Sequence, residues 1–174
     1  MATIVQVTTE ADILEAGDLL REYTAWVLPL TPVGDAAPTF HGLEAELATL
    51  PGPYSPPTGC LLLARHDGRA AGCIALRGHD SDVAELKRLY VRPAFRGHNI
   101  GAALVADLVA RARGLGYRRL VLDSHISMAK AHALYMAAGF HTVDTPADFP
   151  DVLKPVVVFM EMTLDSGERG PATP

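Results

Sequence analysis

Apolar positions along the chain change their period several times, and each change marks an element. Ile4, Val5 and Val7 form a short apolar run that predicts a first strand. Thr9 then stands as a helix cap ahead of Ile13, Leu14, Leu19, Leu20 and Trp26 at helical spacing, and Pro29 and Pro32 stop that helix. Residues 28–41 are rich in Pro, Gly and small side chains and read as loop, and a short helix over 43–50 ends at Pro51-Gly52-Pro53. Residues 60–65 and 70–76 are apolar on both faces and flank Asp67-Gly68, a pair suited to a two-residue hairpin turn. Strands of that kind belong inside a sheet covered by helices on both sides. Residues 83–91 mix Glu85, Lys87 and Arg88 with Leu86, Leu89 and Val91 without clean alternation, and a bulge accounts for the lost phase.

Helical spacing returns at Ile100 and continues through Leu104, Val105, Leu108, Val109, Ala112 and Leu115, with Gly114 and Gly116 marking the exit. Residues 118–122 predict a further strand, and Ser127 is the expected cap of a helix that carries Leu134 and Tyr135 and ends at Gly139. Residues 140–143 and 156–162 close the sheet as a hairpin around a long connection holding Asp144, Asp148 and Asp151. Residues 165–174 are too polar and Pro/Gly-rich to pack and are expected to be disordered, leaving 1–164 as one domain. A length of 174 residues, 49% of them hydrophobic, suffices for one well-buried core. A formal net charge of -5 argues against a nucleic-acid partner, because phosphate neutralisation needs a basic face. No apolar run approaches the ~20 residues of a membrane span and residues 1–5 lack a signal-peptide pattern, so a cytoplasmic location without membrane contact is expected.

The stretch from Val91 to Gly101 carries the clearest chemistry. An apolar strand end meets Pro93, passes Arg96-Gly97 and enters a helix. Main-chain N–H groups at such a turn are unpaired and point outward, and the helix dipole adds partial positive charge, so the turn suits a phosphate. Neither the nucleoside-triphosphate loop nor the dinucleotide Gly-x-Gly-x-x-Gly spacing occurs. The hairpin register places Cys60 one step diagonal to Cys73 on the same face, ~7–8 Å apart, beyond the ~3.5–4.5 Å between Cβ atoms of a disulfide. Free thiols are therefore expected. The seven histidines show no paired spacing, so no metal is expected.

Arg96-Gly97-His98-Asn99-Ile100-Gly101 resembles the Arg/Gln-x-x-Gly-x-Gly/Ala signature of the GNAT superfamily, the acetyl-coenzyme A-dependent N-acetyltransferases. Asn99 stands where the first glycine is usual, and Asn is among the few other residues that tolerate positive φ. Leu134-Tyr135-Met136-Ala137-Ala138-Gly139-Phe140 is similar to the Leu-Tyr-x-x-x-Gly-Phe segment of the same family, in the expected order. The resemblance implies an α/β (α+β) GNAT fold: a central mixed, mostly antiparallel sheet, splayed at its middle and flanked by helices on both faces. It implies transfer of an acetyl group from acetyl-CoA to a primary amine of a small molecule or peptide, by direct attack in a ternary complex.

On the same resemblance, the cofactor would lie along Leu89, Tyr90 and Val91, with Leu89 offering an amide to the carbonyl oxygen. Arg96, Gly97, His98, Asn99, Ile100, Gly101 and Ala102 would hold its diphosphate, with Arg92 nearby. Met128 occupies the position where relatives carry a cofactor-binding Asn, and Tyr135 that of the proton donor to sulfur. Glu85 matches the glutamate base of histone-acetyltransferase-like members, among apolar neighbours that would raise its pKa; the competing reading is a strand-edge charge paired with Lys87 or Arg118. His79 and His125 are reserves for that role. Substrate selection should fall to residues 26–41, 54–58 and 144–154, where three aspartates would favour a cationic amine, and a homodimer is compatible with the family. The alternatives are a non-catalytic acyl-CoA sensor, and a toxin-like enzyme acting on aminoacyl-tRNA, for which the acidic chain is poorly suited.

Overall fold

A computed structural model describes residues 2–30 and 43–164. Seven strands, β1 (Ala2–Gln6), β2 (Cys60–His66), β3 (Arg69–Gly78), β4 (Val83–Val91), β5 (Arg119–His125), β6 (His141–Val143) and β7 (Val157–Thr163), form one sheet in the order β1-β2-β3-β4-β5-β7-β6. All neighbours pair antiparallel except β4 and β5. Helices α1 (Glu10–Val27), α2 (Leu43–Thr49), α3 (Ile100–Gly114) and α4 (Ala129–Ala138) flank the sheet. Much of the expected loop at 28–41 and the whole tail at 165–174 lie outside the described residues.

Both faces of the sheet are covered, as the apolar pattern of β2 and β3 requires. Leu62, Ile74, Leu86, Leu120 and Leu122 pack with Leu104 and Leu108 of α3 on one face. Leu61, Leu63, Cys73 and Tyr90 pack with Leu19 and Leu20 of α1 and Leu47 of α2 on the other. Thr9 caps α1, its hydroxyl accepting the Asp12 N–H at 3.2 Å.

Asp67 (φ 50°) and Gly68 (φ 75°) make the two-residue turn, both in the left-handed region that such hairpins demand. The ladder then slips: Arg65 pairs with Ala70 but Ala64 with Gly72, leaving Ala71 as an extra residue on β3. This corrects the expected cysteine geometry. Cys73 lies opposite Leu63 rather than Leu62, and Cys60 and Cys73 sit on opposite faces of the sheet. Both are free, buried thiols, and burial pushes them up to about 11 and about 12 respectively.

The central opening comes from a second irregularity. Two steps along β3, from Cys73 to Ala75, oppose three along β4, from Tyr90 to Lys87, and Arg88 takes φ 60° within that bulge. On its other edge β4 pairs with β5 only from Val83↔Arg119 to Glu85↔Val121, and beyond Glu85 the two strands part. Glu46 of α2 holds the bulge by accepting from Arg88 Nη2 at 2.7 Å and Nε at 3.0 Å, while the Tyr54 hydroxyl donates to the same carboxylate at 2.7 Å. Burial alone would raise the Glu46 carboxyl, but Arg88 and Tyr54 outweigh it and hold it below its ordinary 4.5. Arg92 is likewise structural. It donates to Glu22 of α1 at 2.7 Å and to the Ala70 carbonyl at 2.7 Å, which corrects its expected place beside a phosphate.

Candidate active site

Where β4 and β5 diverge, a cavity of about 790 Å³ opens through the sheet. One wall is β4 from Leu86 to Val91; the opposite wall is Asp123, Ser124 and His125 of β5 with Tyr135 and Leu134 of α4. The turn into α3 closes one end, and Tyr23, Trp26, Phe149 and Leu153 line the side under α1 and the connection before β7.

The turn is built as an anion cradle. Pro93 opens a single 3-10 turn, Gly97 follows at φ 89°, and Asn99 caps α3 at φ 61°, ψ 14° without a side-chain hydrogen bond. Asn99 thus takes the left-handed conformation for which glycine is usual. The main-chain N–H groups of residues 97–102 donate to no main-chain or side-chain acceptor among the described residues, whereas Ala103 N–H already bonds the Asn99 carbonyl at 3.1 Å. Six consecutive free donors at a helix start, five of them on residues that line the cavity, fit a diphosphate. A Cβ at Gly101 would stand 3.1 Å from Leu134 Cδ1, so glycine lets α3 and α4 approach there without displacing that side chain.

All the residues expected along the cofactor line this cavity except His98: Leu89, Tyr90, Val91, Arg96, Gly97, Asn99, Ile100, Gly101, Ala102 and Met128. His98 instead stacks on His66 with ring centroids 4.6 Å apart. Arg96 donates from Nε to the Val91 carbonyl at 3.1 Å and lies 5.4 Å over the Trp26 ring. Its guanidinium is exposed, so Arg96→Ala is expected to weaken coenzyme A binding only modestly, roughly fivefold by calorimetry.

Tyr135 is buried edge-on to Phe140, centroids 5.8 Å apart, because Gly139 at φ 108° ends α4 and turns Phe140 back beneath it. Burial first, then the neighbouring Tyr23 and Asp123, raise its phenol well above the ordinary 10, so it stays protonated. Ser127 does not cap α4. Met128 holds that position without a capping side-chain bond, its sulfur accepting from the Ser124 hydroxyl at 3.6 Å, while the Ser127 N–H donates to His125 Nδ1 at 3.2 Å and its hydroxyl lies 2.8 Å from the same atom.

Glu85 lies outside the cavity lining and inside an ion-pair cluster. Arg77, its direct cross-strand partner, donates at 2.7 Å, Lys87 at 3.1 Å, and His79 Nε2 lies at 3.1 Å. Burial raises its carboxyl, yet these cations prevail and hold it below 4.5, which overturns the expected upward shift. Of the two cations expected as its partners, Lys87 is one and Arg118 is not. Glu46 and Glu85 are both more acidic in the fold than in the unfolded chain. Their contribution to stability is therefore present above their ordinary 4.5 and lost as pH falls through and below it, which acid titration of thermal unfolding checks.

Asp144, Asp148 and Asp151 are exposed and none lines the cavity; Asp151 pairs with Lys154 at 2.7 Å. Their connection offers Phe149, Leu153, Val156 and Val157 to the cavity instead, so the acidic-loop expectation is corrected to an apolar wall. Tyr23, Lys87 and Asp123 are lining residues that the sequence did not single out. The available signal for Asp123 was a carboxylate following the apolar run Leu120-Val121-Leu122. Among the described residues no three His, Cys, Asp or Glu side chains group as metal ligands, and no helix is long and apolar enough to cross a membrane.

Residues 25–140 match the model of the acetyltransferase (GNAT) family. An uncharacterised N-acetyltransferase of Schizosaccharomyces pombe is 37% identical over 72% of this chain and 77% of that protein. The IAA acetyltransferase of Azospirillum brasilense is 32% identical over 76% of this chain and 83% of its own. Among solved structures, the PaiA N-acetyltransferase of Thermoplasma acidophilum in complex with coenzyme A has the same fold, with a TM-score of 0.69 at 21% identity, covering 94% of this chain and 99% of that one. With the cradle, the parted strands and the buried tyrosine in one cavity, the chain belongs to the acetyltransferase (GNAT) family and is an acyltransferase.

Proposed function

We propose that the protein transfers an acetyl group from acetyl-CoA to a primary amine of a small molecule or peptide, by direct attack within a ternary complex. One observation carries this reading: a single cavity is lined by five residues with unpaired amides at the start of α3, by the buried Tyr135, and by the part of β4 beyond its pairing with β5. When bound, acetyl-CoA supplies an acyl thioester, whose carbonyl carbon is the electrophile. Residues 97–102 and Arg96 hold the diphosphate. The free edge of β4 from Leu89 to Val91 aligns the chain leading to the thioester, with the Leu89 amide set to polarise the carbonyl oxygen. Tyr135 donates a hydrogen bond to the sulfur as negative charge builds there.

Direct attack is favoured over an acyl-enzyme because both thiols lie outside the cavity, buried and pushed up. Mixing the protein with acetyl-CoA and a panel of primary amines, and following thiol release, tests the reading. Release that needs an amine, with intersecting initial-rate lines, supports it. Tight coenzyme A binding with no amine-dependent release across the panel would leave a non-catalytic binding module instead.

A further inference from the structure

Asp123 is the one carboxylate among the described residues that lines the cavity. It lies on β5 two residues beyond Val121, where pairing with β4 ends, so its flank of the strand opens onto the gap. Leu120 and Leu122 go into the core beneath α3, and alternation leaves Asp123 on the other face. Nearby carboxylates are engaged: Glu22 by Arg92, Glu46 by Arg88, and Glu85 by Arg77, Lys87 and His79. Among the described residues Asp123 has no side-chain hydrogen-bond or ion-pair partner; Lys87 and Arg88 favour its charge from a distance, and its own main-chain N–H adds a little. Tyr23 of α1 and Tyr135, the donor proposed for sulfur, line the same cavity, and the Asp123 charge raises both phenols. A half-buried carboxylate at a cavity wall, with no cation hydrogen-bonded to it, is open to a cationic ligand.

We propose that Asp123 receives the protonated amine of the acceptor and takes its proton, an assignment that rests on the acyl-transfer reading above. Burial is the main influence on this carboxyl and raises its pKa; Lys87 and Arg88 from β4 lower it, and Glu85 raises it further. Tyr23 from α1, Tyr135 from α4 and His125 along the same strand also line its surroundings. The upward shift narrows the gap to an alkylamine near ~10.4 and makes Asp123 a stronger base than a surface carboxylate. Relieved of one proton, the nitrogen uses its lone pair to form the C–N bond to the thioester carbonyl carbon. The C–S bond breaks, and its electron pair leaves on sulfur, which takes a proton from Tyr135. The second amine proton passes to solvent, Asp123 returns its proton to water, and Tyr135 regains one, so each turnover releases one proton net.

The test uses the full chain with acetyl-CoA and amines of graded pKa. Asp123→Asn is expected to lower kcat/KM for alkylamines by roughly 10²–10³-fold and to remove the acidic limb of the pH profile. The loss should be much smaller for an acceptor already neutral at the assay pH, such as a hydrazide. Coenzyme A affinity should be unchanged and Tm should rise, because the ionised carboxylate costs the fold what an amide does not. Should the amide variant fail to fold, Asp123→Ala with added formate takes its place, and recovery of rate with formate is the expected result. A limb that survives in Asp123→Asn, or one that disappears with Glu85→Gln but not with Asp123→Asn, overturns the assignment. So does an Asp123→Ala variant that binds coenzyme A yet gains nothing from formate. Absence of amine-dependent thiol release from the unaltered chain would instead overturn the acyl-transfer reading itself.

Discussion

Tyr135→Phe is expected to lower kcat by roughly 10²-fold while leaving the coenzyme A dissociation constant within about twofold. The substitution removes one hydroxyl and keeps the ring, so the edge-on packing on Phe140 survives and α4 keeps its end. Binding should therefore persist, because the cradle at 97–102 lies at another end of the cavity. What is lost is a hydrogen bond that strengthens only as the sulfur gains charge, and such an interaction lowers the barrier without tightening the ground state. The phenol is raised by burial, so full ionisation is unfavourable; its work is to donate to sulfur as the C–S bond breaks. Steady-state thiol release beside calorimetric titration of coenzyme A checks both halves. Equal loss in binding and rate would assign Tyr135 to packing alone.

The second large effect falls on stability. Glu46→Ala leaves the Arg88 guanidinium, 3% exposed, without the carboxylate that accepts two of its N–H groups, and leaves the Tyr54 hydroxyl without its acceptor. Removing one partner of a buried ion pair costs about 3–5 kcal/mol. For a domain of this size that corresponds to a fall in Tm of about 10 °C. Thermal unfolding followed by circular dichroism measures it. Because Arg88 sits in the bulge that sets the line of β4, the same variant should also lose kcat, whereas Glu46→Gln should recover part of the stability. A drop of less than about 1 kcal/mol would show that the bulge is held by its other neighbours.

Local patterns carried most of the fold. Period changes located every strand and helix within a few residues, since β2 and β3 are apolar on both faces and α3 carries an unbroken stripe. The failures have different causes: Ser127 misses the α4 cap through its local contact with His125, whereas the strand slip depended on a neighbour distant in sequence. Ala70-Ala71-Gly72 is too small and featureless to reveal which residue would be extruded, so the slip in β2–β3 and the separation of the two cysteines were invisible. Glu85 looked apolar-flanked along its own strand, but Lys87 two residues on lowers it most, and Arg77 opposite and His79 add to that lowering through a register the sequence does not show. The turn at 97–102 was legible as a run of unpaired main-chain N–H groups because one short stretch supplies all of them.

Only three rungs, Val83 to Glu85 against Arg119 to Val121, stitch the four-stranded half of the molecule to the three-stranded half. Past them the seam is unsewn. An extended ligand lying in it would supply main-chain partners that the neighbouring strand withholds, and so act as a temporary eighth strand. Occupancy would then extend the continuity of the sheet past the three rungs, beyond what the shared core under α3 already provides.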